Sequence, residues 1–131
     1  MIVVNTSLVV RLLVNDHVAR AARARALLAA GHRVFIAPTV LLETEWVLRA
    51  AYRYTAAQVA PFLRALLDLP GVYTLAPARV SQALDAYERG LDFADALHVL
   101  QREDAAAFYT LDADLRKRAK RLLHAAQVLA P

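Results

Sequence analysis

Cysteine is absent from this chain of 131 residues, and glycine occurs only three times. The lack of cysteine excludes disulfide bonds and thiolate metal sites. The three glycines do not form the glycine-rich loops that hold nucleotide phosphates. The Gly-x-Ser-x-Gly turn of serine hydrolases is missing as well. These absences narrow the chemistry of any active site toward metal-assisted hydrolysis.

Long apolar runs are also missing, although 59% of the residues are hydrophobic. No run reaches the ~18 residues that are needed to cross a bilayer. Residues 1–4 lack the basic segment that begins a signal peptide. We therefore expect a cytoplasmic protein with no membrane segment. The length is typical of one domain, so residues 1–131 are predicted to form a single domain.

The charge is moderately basic, with 16 Lys and Arg residues against 12 Asp and Glu residues and a net charge of +4. This balance permits a polyanionic partner but does not identify one. The densest basic segment is residues 116–121. It is explained equally well as a solvated helix face or as a surface that binds the RNA backbone.

Short β-rich runs alternate with longer helical patterns along the whole chain. Strands are predicted at residues 2–4, 34–37, 72–75 and 107–110, with a possible fifth at 127–129. Asn15 and Asp16 are predicted to cap the second helix, and the last helix is expected to end at Leu123. The alternation predicts an α/β fold, in which a parallel sheet of four to five strands is flanked by helices on both faces.

Polar residues follow the strands of this predicted sheet. Asn5 comes directly after the first strand, and Glu43 lies early in the helix after the second. Asp112 follows the fourth strand, and Asp95 opens the helix before it. Since polar sites gather beyond the carboxyl ends of parallel strands, we expect these side chains to converge on one edge of the sheet.

The acidic residues have an ordinary explanation too, because Asp and Glu cap helix N-termini. Capping alone explains Asp92 and Asp112. Glu43 and Asp95 are set among apolar neighbours, where a carboxylate is costly unless something pairs with it. A shared cation would do so, and oxygen donors favour Mg²⁺ or Mn²⁺. The four histidines show no ligand spacing; they are His17, His32, His98 and His124.

Four segments, taken in order, resemble the PIN-domain family and most of all its VapC toxin branch. They are residues 2–7, 41–48, 92–98 and 110–112. The resemblance covers nearly the whole chain. It implies a Rossmann-like α/β fold, binding of Mg²⁺ or Mn²⁺, and cleavage of RNA. It also implies a homodimer and inhibition by a cognate VapB-like antitoxin that enters the active-site groove.

The resemblance also assigns site residues. The family pattern begins with Asp-Thr-Asn, which is matched here by Asn5, Thr6 and Ser7. The further acidic positions correspond to Glu43, Asp95 and Asp112, and the hydroxyl residue that orders the site corresponds to Thr110. Arg11 is expected to contact phosphate near the site. Asp92, Asp114 and Glu45 are second choices for the acidic positions.

Asn5 is the departure from the family pattern. Its amide keeps a carbonyl oxygen that ligates weakly, but it lacks the negative charge and cannot act as a base. Three origins remain open: an engineered inactivating substitution, a natural inactive member, or a natural variant with a compensated site. The chain is thus expected to be an impaired toxin-type ribonuclease. The alternatives are a non-catalytic PIN-like module that binds RNA or antitoxin, and a housekeeping nuclease of RNA maturation.

Two successive predicted helices carry many large apolar side chains, for which there are two explanations. Core packing is the first, and a dimer face or antitoxin groove is the second. The residues concerned are Trp46, Val47, Tyr52, Tyr54, Phe62 and Leu66.

Overall fold

The computed structural model describes residues 1–123 and 127–131. His124, one of the four histidines considered above, lies outside the described residues. The chain divides into two compact units, residues 1–75 and residues 76–131. Each unit combines helices with a small parallel sheet.

The first unit contains a three-stranded sheet in the order β1-β2-β3. All of its strand pairs are parallel, with Ile2 opposite Val34 and Val34 opposite Val72. Helix α1 packs against both α2 and α3, and α4 packs against α3. The elements are β1 (Ile2–Val3), α1 (Thr6–Leu13), α2 (Val18–Ala29), β2 (Val34–Phe35), α3 (Pro38–Ala50), α4 (Ala56–Leu67) and β3 (Val72–Tyr73).

The second unit contains a parallel pair of strands, β4 and β5, with Phe108 opposite Val128. Helices α5 and α6 pack against each other, and α7 packs against β5. The elements are α5 (Pro77–Glu88), α6 (Phe93–Leu100), β4 (Phe108–Tyr109), α7 (Ala113–Leu122) and β5 (Val128–Leu129).

The α/β class and the parallel strands predicted from the sequence are confirmed. The five strands of the described residues fall at the predicted positions, but each is only two residues long. They form one sheet of three strands and one of two, where the sequence predicted a single sheet of four to five. The pattern of apolar runs locates a strand but does not specify which strand it pairs with.

Helix α2 begins later than predicted. His17 is its N-cap residue, and its Nδ1 accepts a hydrogen bond from the backbone N–H of Arg20 at 3.3 Å. The prediction that Asn15 and Asp16 cap this helix is wrong. The carboxylate of Asp16 instead binds Arg11, which lies on α1, and Tyr52, which is 36 residues further along the chain.

Each unit has a core of fully buried apolar side chains. In the first unit these include Val9, Leu41, Leu48 and Leu63, and in the second they include Phe93. Within the described parts of the chain, every helix is too short or too polar to cross a membrane.

Loss of a core side chain gives a test of this packing. Leu63 is fully buried on α4, so Leu63→Ala should lower the free energy of unfolding by about 2–5 kcal/mol. Leu75 is 57% exposed, and Leu75→Ala should change it by less than about 0.5 kcal/mol. Urea unfolding followed by circular dichroism measures both. Equal losses in the two variants would contradict the assignment of Leu63 to the core.

Candidate acidic site

Asn5 is the N-cap residue of α1 and follows β1 almost directly. Its side-chain Oδ1 accepts hydrogen bonds from the Ser7 hydroxyl at 2.8 Å and from the Leu8 backbone N–H at 3.4 Å. Both contacts are local, because an extended residue before a helix directs its side-chain oxygen toward the free N–H groups of the first turn. The oxygen that could ligate a metal therefore already has two donors. Thr6 beside it is buried, and Ser7 is exposed.

Glu43 is exposed on α3, and the buried carboxylate of this helix is that of Glu45, at 2% exposure. The expectation that Glu43 lies in apolar surroundings is therefore wrong. Residues two apart on a helix point about 200° apart, so only one of the two can face the core. The buried face of α3 comprises Leu41, Thr44, Glu45 and Leu48.

The buried Glu45 has a partner on its own helix. Its Oε1 accepts a hydrogen bond from Arg49 Nε at 2.9 Å, one turn further along α3. This pair compensates the buried charge. Glu43 is the carboxylate of α3 that faces solvent and is accessible to a ligand from there.

Arg11 belongs to a closed cluster of three side chains in the first unit. It forms an ion pair with Asp16 and donates a hydrogen bond to the Tyr52 hydroxyl at 2.9 Å. Tyr52 in turn donates to Asp16 at 2.7 Å. The Tyr52 hydrogen bond, with the Arg11 charge as a smaller cause, lowers the pKa of Asp16. Asp16 and Tyr52 are 36 residues apart, and no local pattern in the sequence links them.

Asp92 and Asp95 lie together at the start of α6 in the second unit. Asp92 is the N-cap residue, and its Oδ1 accepts from the Asp95 backbone N–H at 3.0 Å. The Asp95 carboxylate is partly buried and has no hydrogen bond or ion pair among the residues that the structure describes. Burial raises the pKa of Asp95, the charges of Asp92 and Asp112 raise it further, and the charge of His98 lowers it by less.

Asp112 is held at the start of α7 by the turn that precedes it. Its Oδ1 accepts from the Leu115 backbone N–H at 3.0 Å, and its own N–H donates to Thr110 Oγ1 at 3.1 Å. Arg116 donates to the Thr110 carbonyl at 2.9 Å. Thr110 thus orders the backbone at Asp112. Asp114 is exposed in the first turn of the same helix.

The structure therefore brings three of the acidic candidates together. Asp92, Asp95 and Asp112 all lie in the second unit, close enough for their charges to interact. Asn5 and Glu43 lie in the first unit. The convergence of all these positions on one site stays a prediction.

A model of the PIN domain matches residues 2–121 of the chain. The chain belongs to the PIN-domain family. PIN domains are generally nucleases, which places this protein among the hydrolases in the broad sense. Comparisons with curated proteins and with solved structures give no match.

PIN-domain nucleases typically use divalent metals, and the donors here have suitable chemistry. Carboxylate oxygens suit Mg²⁺ or Mn²⁺, and two further carboxylates, Asp92 and Asp112, act on the Asp95 charge. Within residues 1–123 and 127–131, no group of three or more His, Cys, Asp and Glu side chains is arranged to hold an ion. The fit thus rests on the donor type and on the excess negative charge around Asp95.

The cap at Asn5 can be tested by substitution in this PIN domain. Asn5→Ala removes the acceptor of two hydrogen bonds and should cost about 0.5–2 kcal/mol of unfolding free energy. Asn5→Asp keeps an acceptor of similar capping strength and should leave stability nearly unchanged. Thermal and urea unfolding measure both. A loss in Asn5→Asp as large as that in Asn5→Ala would contradict the capping role.

The interaction of the three carboxylates can be tested by titration of the metal-free protein. Asp95 should titrate above its ordinary value of 3.8, and Asp112→Asn should lower its pKa because one negative charge is removed. Carboxyl ¹³C NMR measures this directly. Because the pKa of Asp95 is higher in the folded protein than in the unfolded chain, Asp95 contributes stability at low pH. That contribution is lost as the pH rises through the pKa of Asp95 in the folded protein.

Asp104→Asn is the matched control, because Asp104 is an exposed aspartate that does not contribute to the Asp95 shift. An Asp95 pKa that responds equally to both substitutions would show that Asp112 has no specific effect.

Proposed function

We propose that residues 1–131 form a single PIN domain with the function of a VapC-like, metal-dependent endoribonuclease, and that Asn5 impairs it. The observation that carries the proposal is the Asp95 carboxylate, which lies near Asp92 and Asp112 and has no hydrogen bond or ion pair among the described residues. Uncompensated negative charge is costly in a folded protein unless a ligand neutralises it. A divalent cation supplies that neutralisation in a nuclease site.

Asp95 and Asp112 are the proposed metal ligands of the second unit, and Glu43 and Asn5 those of the first. When bound, Mg²⁺ or Mn²⁺ lowers the pKa of a coordinated water and neutralises charge on the phosphoryl oxygens. The protein residues have simpler tasks. Thr110 fixes the turn that presents Asp112, and the Asp92 cap fixes the first turn that presents Asp95.

Asn5 is the position at which this chain departs from an intact site. Its carbonyl oxygen is neutral and is shared by two donors, so it is a poor ligand. An Asp at this position would bring a second oxygen and a full charge while preserving the cap. The same observation favours a second function, a non-catalytic PIN-like module that binds RNA or an antitoxin without metal.

An apolar groove in the first unit supports an antitoxin as partner. It has a volume of about 590 Å³ and lies between helices α1, α2 and α4. Two of the residues predicted for such a groove, Phe62 and Leu66, line it together with Leu12 and Leu28. We propose that an apolar segment of a VapB-like antitoxin binds here. Trp46 is 58% exposed and is a candidate for the homodimer face.

The test restores the acidic residue. Asn5→Asp should cleave single-stranded RNA with Mg²⁺ or Mn²⁺ at least about 10-fold faster than the chain with Asn5, by analogy with the cost of losing metal support. A chelator should abolish the cleavage. In the Asn5→Asp protein, Asp95→Asn or Asp112→Asn should abolish it as well. A gel assay on a panel of RNAs measures all four.

Asp104→Asn in the same Asn5→Asp protein is the control and should cleave at the unchanged rate. If the Asn5→Asp protein cleaves nothing on the panel, the nuclease proposal fails for this chain. RNA binding that persists in the presence of a chelator would then support the non-catalytic module.

A further inference from the structure

A second cleft in the first unit lies between α1 and α2 and is basic. Its volume of about 560 Å³ is within the range of roughly 300–1,000 Å³ that ligand sites occupy. Helix α1 contributes Ser7, Leu8 and Arg11 to its walls, and α2 contributes Arg20, Arg23 and Leu27.

Arg20 and Arg23 are cations without a counter-charge. Both are exposed, and neither guanidinium has an ion pair or hydrogen bond within the described part of the chain. Residues 17–42 contain no Asp or Glu, so no acidic side chain is near them in sequence. Like charges three residues apart on a helix repel each other. An anion between them relieves that repulsion.

Arg11 has a different part in the cleft. Its guanidinium is already bound by Asp16 and Tyr52. These contacts fix the Arg11 side chain as one wall of the cleft. Arg20 and Arg23 on the opposite wall retain their donors for a ligand.

The cleft adjoins Asn5. Ser7 lines the cleft and also donates a hydrogen bond to the side chain of Asn5. Leu8 and Leu27 give the cleft an apolar surface beside its cations. Single-stranded RNA matches such a surface, because guanidinium groups bind its phosphates and apolar side chains can pack on the flat faces of its bases.

We propose that this α1–α2 cleft binds the phosphate backbone of single-stranded RNA, with Arg20 and Arg23 as the phosphate-binding residues. The inference rests on the proposed ribonuclease function and adds to it the residues that hold the substrate. These arginines read charge and not sequence, so they contribute equally to the binding of any RNA.

The test measures RNA binding without cleavage. The affinity of a fluorescein-labelled single-stranded RNA of mixed sequence is determined by anisotropy in a chelator over a series of salt concentrations. Arg20→Ala and Arg23→Ala should each flatten the slope of log K against log salt by about 0.7, the value for one phosphate contact on a single strand. The doubly substituted Arg20→Lys, Arg23→Lys protein should keep the slope of the original chain.

Arg25→Ala is the matched control, since Arg25 lies on the same helix outside the cleft and its loss changes the net charge equally. Its slope should equal that of the original chain. Slopes of Arg20→Ala and Arg23→Ala that equal the Arg25→Ala slope would overturn the inference. Binding of polyglutamate through the same two arginines, without binding of RNA, would also overturn it and indicate an acidic protein segment.

The cleavage assay with Asn5→Asp separates this inference from the proposed function. If Asn5→Asp cleaves RNA while the arginine substitutions leave the salt slope unchanged, the cleft inference alone fails. If the protein neither cleaves nor binds RNA, both fail.

Discussion

A helix leaves its first backbone N–H groups without hydrogen-bond partners inside the helix. The side chains that accept hydrogen bonds from these groups include three residues of the candidate site. Asn5, Asp92 and Asp112 each occupy the N-cap position of a helix, and each side chain accepts a hydrogen bond from the first turn. The cap holds the side chain in a fixed direction. The chemistry proposed for these positions therefore uses groups that the fold already needs for its own stability.

A side-chain oxygen that caps a helix is less available to bind a metal ion, but a carboxylate can do both. A carboxylate has two oxygens, so Asp92 and Asp112 keep one after capping. Asn5 has a single carbonyl oxygen, and both of its donors use it. An Asp at this position would keep the cap and have a second oxygen for a ligand, whereas Asn5 keeps only the cap.

Much of the fold could be predicted from the sequence, because strands and helices are specified by local apolar patterns. The five strand positions and the parallel class are examples. The pairing of strands into sheets of three and two could not be predicted, since two-residue strands leave little side-chain pattern to specify a partner. The start of α2 was missed because Asp16 is bound by distant residues.

The site shows the same division between local and distant information. The caps at Asp92 and Asp112 follow from their places directly before helices. Which of Glu43 and Glu45 faces the core depends on how α3 is rotated about its axis. Apolar residues on both sides of Glu43 conceal that rotation in the sequence. The unpaired arginines of α2 were not singled out from the sequence. The absence of acidic residues between positions 17 and 42 was the signal that could have identified them.

The cluster of Arg11, Asp16 and Tyr52 has a consequence for how the basic cleft meets a ligand. A free arginine side chain gives up about 2 kcal/mol of rotamer entropy when it is immobilised. Arg11 has already lost that freedom on folding, because Asp16 and Tyr52 hold its guanidinium. One side of the cleft is therefore preorganised, whereas Arg20 and Arg23 have no such contacts within the described residues. The entropy cost of ordering side chains around the proposed ligand would thus fall on these two arginines and not on Arg11.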